Sequence, residues 1–133
     1  MSDKEKIKRK LIKILETEVV FTYLFGSVTS GRLHPQSDID IAVYLKESPG
    51  SLNDKMAFIQ KVSAAFNRDV DVIFLNDADI IITMQILING ELLINKNNER
   101  LVLFKASKLG EYADFKFSRQ IIEQNMLSGR IYA

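Results

Sequence analysis

Three aspartates and one Gly-Ser pair are the residues of this chain best suited to chemistry. Gly26-Ser27 closes an apolar run that starts at Val19, and ten residues later Asp38 and Asp40 open a second run, Ile39 to Leu45. Residues two apart on a strand point to the same face, so these two carboxylates project together. Close like charges resist ionisation unless a cation neutralises them. Oxygen donors, with no cysteine and no histidine cluster, indicate a hard cation, Mg²⁺ or Mn²⁺. Asp71 lies inside a third apolar run, Val70 to Leu75, where a carboxylate is costly without a partner. If that run neighbours the second, Asp71 completes a three-carboxylate cluster. Such clusters orient a nucleoside triphosphate and stabilise the attacking and leaving oxygens of an in-line displacement. Gly26 lets the backbone approach a phosphate, and Ser27 offers a hydroxyl and an N–H to phosphate oxygens. Singly these features are ordinary, since Asp-x-Asp also caps strand ends and Gly-Ser also makes turns. Their coincidence points to chemistry.

The composition narrows what else the chain can do. Its 133 residues suit one domain over 1–133, and a chain of this length buries roughly two-thirds of its unfolded surface without staples. Zero cysteines remove disulfides, thiolate metal sites and cysteine nucleophiles, and the single His34 rules out a multi-histidine metal site. Eighteen Lys and Arg against seventeen Asp and Glu leave a formal charge of +1, which argues against a whole-surface nucleic-acid binder. No apolar run approaches the ~20 residues that span a bilayer, and the charged N-terminus lacks a signal-peptide core. The expectation is a soluble, cytoplasmic domain with no membrane partner and no direct nucleic-acid binding.

The elements that must position the aspartates follow from spacing. Ser2 and Glu5 have capping-box spacing ahead of Ile7, Leu11, Ile14 and Leu15, which predicts a first helix to about Thr17 with its Lys residues solvated. Val19 to Phe25 reads as a strand buried on both faces. After a loop with Gly31 and Pro35, Ile39 to Leu45 is the second strand. Ser51 caps a helix whose stripe is Leu52, Met56, Ile59, Val62 and Phe66. The third strand is Val70 to Leu75. Asp77 or Asp79 caps a helix from Ile80 to Asn89, closed by Gly90 in the usual C-terminal role, although Ile80 to Ile82 also suits a strand. A short edge strand, Leu92 to Ile94, precedes a helical stripe from Leu101 through Phe104, Lys108 and Leu109 to Tyr112, read mostly as core. A separate helix follows from about Ser118 to Leu127. The fold class is α+β: a small mixed sheet with flanking helices, a core over 1–97 and a helical C-terminal region over 98–133.

The segments Phe25-Gly26-Ser27, Ser37-Asp38-Ile39-Asp40-Ile41-Ala42-Val43 and Asp71-Val72-Ile73 closely resemble the minimal nucleotidyltransferase (MNT) family of the DNA polymerase β-like superfamily. The resemblance is specific from Val19 to Leu75. It continues more weakly through Asn89-Gly90 and Tyr112-Ala113-Asp114-Phe115, which look like the antitoxin branch. Members of that branch are paired with HEPN toxins, small helical ribonucleases, and are similar to enzymes that transfer AMP from ATP onto a toxin tyrosine. The resemblance implies the nucleotidyltransferase fold, with Asp38 and Asp40 holding Mg²⁺ or Mn²⁺. It further implies that Asp71 completes the metal site and helps activate the attacking hydroxyl, and that Gly26 and Ser27, with Arg32 as a candidate beside them, contact ATP. It also implies that the partner is a HEPN-type toxin; a homo- or hetero-oligomer is open to such a chain. Ser30 stands where many relatives carry Arg; Arg32 either replaces that charge or is a solvated loop residue. His34 is either exposed in the loop or a nucleotide contact. Two rival functions remain open at this point. One is AMP transfer to a small-molecule hydroxyl, aminoglycoside-like, with a partner presenting the acceptor because so short a chain has little room for it. The other is a catalytically silent antitoxin acting by contact, against which the three aspartates count.

Overall fold

Every described helix begins on a residue whose side chain accepts from an otherwise unpaired backbone amide. Ser2 caps α1 (Asp3–Leu15), Ser51 caps α2 (Leu52–Phe66), Asp79 caps α3 (Ile80–Asn89) and Asn97 caps α4 (Asn98–Leu127). Between them lie β1 (Val19–Phe25), β2 (Ile39–Leu45), β3 (Val70–Phe74) and β4 (Glu91–Asn95). The computed structural model describes residues 2–26 and 38–128. Ser27, Ser30, Gly31, Arg32, His34, Pro35 and Ser37 lie outside the described residues.

The strands form one mixed sheet in the order β3-β2-β1-β4. β1 runs antiparallel to both β2 and β4, whereas β2 and β3 are parallel and joined by α2. Chain crossing from β2 to β3 needs a connection of this length, because parallel neighbours cannot be linked by a tight turn. β1 is buried along both faces, as its apolar run predicts. One face of the sheet packs Ile39, Ile41, Val43, Val70 and Phe74 against Ile7, Leu11 and Leu15 of α1 and Phe58 and Val62 of α2. The other face packs Phe21, Tyr23 and Ala42 against Ile86 of α3 and Leu101 of α4. By strand parity, Asp40 and Asp71 belong to this second face, with Ala42 and Ile73. Lys4 and Lys8 of α1, read as part of a solvated face, both pair with Glu91 and tie the helix to β4.

Several expectations need correcting. The C-terminal region is one 30-residue helix, about 45 Å long, not two. Gly110, in an open helical environment, weakens this helix without ending it. Along α4 only Leu101 is buried; Phe104, Lys108 and Tyr112 are half-buried and Leu109 is exposed, so the stripe is less a core than expected. The apolar seam then continues outward as Phe115, Ile122 and Met126, all exposed. In α2, Phe58 joins Val62 inside while Leu52 and Met56 face solvent, because the helix turns its buried side toward Phe74. α1 ends at Leu15 rather than Thr17. Gly90 is extended (φ −75°, ψ 162°), not left-handed, because β4 begins at once against β1. Asn67 takes the left-handed role at the end of α2, with φ 51°.

Gly90 is needed for space. A Cβ there would lie 2.5 Å from the Ile86 carbonyl oxygen and 3.2 Å from that of Leu24. At Gly110 an added Cβ meets nothing within 4 Å. The two positions predict opposite signs in urea unfolding. Gly90→Ala should destabilise by about 1–3 kcal/mol through overpacking, and Gly110→Ala should stabilise by about 0.5–1 kcal/mol through helix propensity.

Candidate active site

The parallel β2–β3 pair sets the position of two candidate carboxylates. Asp40 and Asp71 are cross-strand partners in register. The ladder is pinned at both ends. At the start, the Ile39 N–H donates to the Asp69 carbonyl at 3.1 Å. At the far end the Asn76 carboxamide takes the Leu45 N–H at 2.9 Å and donates to the Leu45 carbonyl at 3.1 Å, standing in for a further rung. Asn76 was not singled out in the sequence, where an Asn after a strand looks like any turn residue.

The Asp40 and Asp71 side chains are hydrogen-bonded to each other. Burial, that hydrogen bond and the charges of Asp71 and Asp38 push the Asp40 carboxyl up to about 6. Asp71 itself is exposed, so the expected cost of burying it in the strand does not arise: β3 ends the described sheet and turns this residue to its rim. Asp38, also exposed, sits just ahead of β2 and reaches Asp40 through its charge. Among the described residues no group of three acidic or imidazole side chains is gathered as a metal-holding set. The contact formed is the Asp40–Asp71 pair. Its chemistry fits a hard cation: two carboxylates sharing a site that disfavours double ionisation, with oxygen donors only.

Gly26 completes the geometry. It follows β1 with φ 72°, in the left-handed region, and a Cβ there would collide with the Asp40 carboxylate, Oδ2 first. Phe25 and Asp40 are cross-strand partners. The glycine therefore fits both its own backbone and the acid across the ladder. Ser27 and Arg32 lie outside the described residues. Beside Gly26 a recess of about 390 Å³ opens between the sheet and α3. The larger hollow, about 590 Å³, lies at the opposite end of β2, among Leu45, Lys46, Glu47, Phe58 and Lys61, away from the candidate acids.

The polymerase beta, nucleotidyltransferase family model matches residues 5–99. The protein adenylyltransferase MntA of Shewanella oneidensis is 28% identical over 124 residues, 91% of this chain and 88% of that protein. Among solved structures, a toxin–antitoxin with AMP-PNP superposes with a TM-score of 0.75 at 28% identity, covering 90% of this chain and 98% of the other. A tri-AMPylated Shewanella oneidensis HEPN toxin in complex with MNT antitoxin gives 0.73 at 25% identity, covering 93% and 98%. No described helix is long and apolar enough to cross a membrane.

The raised Asp40 pKa makes a prediction with a defined sign. Between about 3.8 and about 6 the folded chain holds a proton at Asp40 that the unfolded chain has released, so stability falls as pH rises through that window. Asp40→Asn should flatten this part of a stability–pH curve and raise the unfolding midpoint above pH 6. Gly26→Ala should lower stability at every pH, by roughly 1–3 kcal/mol, because the strain of a left-handed backbone does not titrate.

Proposed function

The chain belongs to the polymerase beta nucleotidyltransferase family, and we propose that it is a Mg²⁺-dependent protein adenylyltransferase acting as an antitoxin, moving AMP from ATP to a tyrosine of a cognate HEPN-type toxin. The observation that carries this reading is the in-register contact of Asp40 with Asp71 beside Gly26, inside the stretch that the family match spans. An adenylyltransferase relative, a neighbour with an ATP analogue and an AMPylated HEPN toxin in a third complex support the reaction, the donor and the partner. Residues 1–97 form the catalytic unit in this reading and 98–133 its helical extension.

Asp38 and Asp40 would hold the cation, with Asp71 beside them. When bound, Mg²⁺ supplies positive charge that stabilises the α-phosphate and the departing pyrophosphate. Gly26 leaves room for that carboxylate and for a close-lying phosphate; Ser27 and Arg32 supply further nucleotide contacts. A tyrosine hydroxyl has a pKa near ~10, so it must lose its proton as it attacks. Asp71, exposed at the rim, accepts that proton. The phenolic oxygen bonds to the α-phosphorus, the bond to the bridging oxygen breaks, and pyrophosphate leaves. Toxin tyrosine becomes an AMP ester.

Intact-mass spectrometry of a cognate HEPN toxin after incubation with this protein, ATP and Mg²⁺ tests the reading. The expected result is added AMP, formed at least about 100-fold more slowly by Asp40→Asn. Asp71→Asn should slow transfer more than it weakens ATP binding, whereas Asp38→Asn should damage both. Neutralisation of the toxin without added mass, equal for wild type and Asp38→Asn/Asp40→Asn, would replace the enzyme with a contact antitoxin.

A further inference from the structure

α3 is uncharged on its outside as well as its inside. From Ile80 to Asn89 it carries no acidic or basic side chain, in a chain of which 26% is charged. Thr83, Met84 and Ile86 face inward and are buried. Ile81, Ile82, Gln85, Ile88 and Asn89 share the opposite arc, roughly 120° wide, and all five are exposed, Ile88 by 69%. α1, by contrast, turns Lys6, Arg9, Lys10 and Lys13 to solvent. A helix apolar all round is normally buried all round. Exposed isoleucine does not serve the helix itself, since its branched side chain makes a poorer helix former than Lys, Glu or Ala. Freedom from charge is instead the mark of an interface core. The arc also has a telling place. Ile82, Gln85 and Asn89, along one edge of it, border the recess that Phe25 and Gly26 line, and Gly26 packs against the Asp40 carboxylate. A protein seated on the arc is therefore a neighbour of the candidate acids.

We propose that this arc of α3 is the docking face for the protein that carries the acceptor tyrosine, and that an apolar, uncharged patch of that protein covers it. The proposal rests on the transferase reading above. Transfer to a protein tyrosine requires the acceptor to be held while its hydroxyl is aligned with the α-phosphorus, and loose seating forfeits much of the rate. The described fold is one four-stranded sheet with its helices, so the acceptor must be seated on an outer face. Of those faces, α3 combines nearness to Gly26 with freedom from charge. Exposed apolar residues of α4, Phe117 and Ile121 among them, are interleaved with Lys116, Arg119 and Glu123 and border no part of that recess. Three isoleucines give the contact its apolar area. Gln85 and Asn89 give it direction, because each carboxamide offers a donor and an acceptor that the partner must meet. With no charge on the arc, salt has little to screen.

Titration calorimetry of the full chain with a cognate HEPN-type toxin, without ATP, tests the face apart from the chemistry. Ile88→Lys should weaken toxin binding at least about tenfold by burying an unpaired charge, and should raise KM for the toxin in AMP transfer to the same degree. Its kcat, Mg-ATP affinity and unfolding midpoint should match wild type. Ile81→Glu should behave alike. The two substitutions carry opposite charges, each favourable at its own end of the helix, so a shared loss reports buried charge and not long-range attraction. Leu52→Lys/Met56→Lys, on exposed apolar residues of α2, should leave every one of these quantities unchanged. Wild-type affinity should vary little with salt. Toxin binding that survives both α3 variants, falls equally with the α2 variant or collapses with salt overturns the proposal. So does a wild-type dimer that Ile88→Lys dissociates while toxin binding persists, which would make a second copy the occupant. Wild type that does not bind the toxin overturns it as well. Toxin binding lost with the α3 variants, but no AMP transferred by wild type, would remove the transferase reading and keep the face as a toxin-docking surface.

Discussion

One crowded carboxylate organises this molecule. Asp40 has Asp71 beside it, Gly26 against it and Asp38 two residues upstream, in a half-buried position where its ionised form is disfavoured. The rest of the sheet is arranged so that this crowding persists. Parallel pairing of β2 with β3 brings the two acids side by side, and α2 exists to return the chain for that pairing. Antiparallel β1 delivers Phe25 and then Gly26 to the same end. The strands are buried by helices on both faces, so the register that fixes these neighbours is expensive to slip.

The same chain holds a second acid in the opposite situation. Glu91, at the start of β4, accepts a hydrogen bond from Lys8 and pairs with Lys4, and these contacts hold its carboxyl below the usual range. Its contribution is therefore lost as pH falls, where that of Asp40 is relieved. Glu91 fastens α1 to the edge of the sheet with its charge satisfied. Asp40 keeps its charge opposed by burial and by the acids beside it. The difference separates a group that holds the fold from one that the fold crowds.

Elements with local causes were legible in the sequence. Ser2, Ser51 and Asp79 announce helices because a cap is chosen by the next three residues, and Val19 to Phe25 announces a doubly buried strand by its unbroken apolarity. The spacing of Asp38, Asp40 and Asp71 was visible too, but their neighbourhood depended on a parallel pairing that no local pattern states. What stayed hidden was set by tertiary context. Gly90 looks like a helix stop, while its reason is the Leu24 carbonyl across the sheet. The C-terminal region reads as two helices because spacing does not reveal that one helix runs on without support. Phe58 and Met56 exchange inside for outside by a small rotation of α2. Asn76 carries an amide common enough to pass for surface, and only the fold gives it the Leu45 backbone to face.

Asp71 also matters to the chain's behaviour toward its own copies. β3 is the last strand on its side of the described sheet, and its sequence, Val-Asp-Val-Ile-Phe, would without the acid be an uninterrupted β-forming apolar run. Open edges of that kind recruit further strands and seed aggregation, and a charge within the strand is the ordinary deterrent. The exposed carboxylate thus keeps the ladder from growing outward. A substitution that empties this position of charge removes a guard as well as an acid, and the surviving protein becomes harder to keep dispersed.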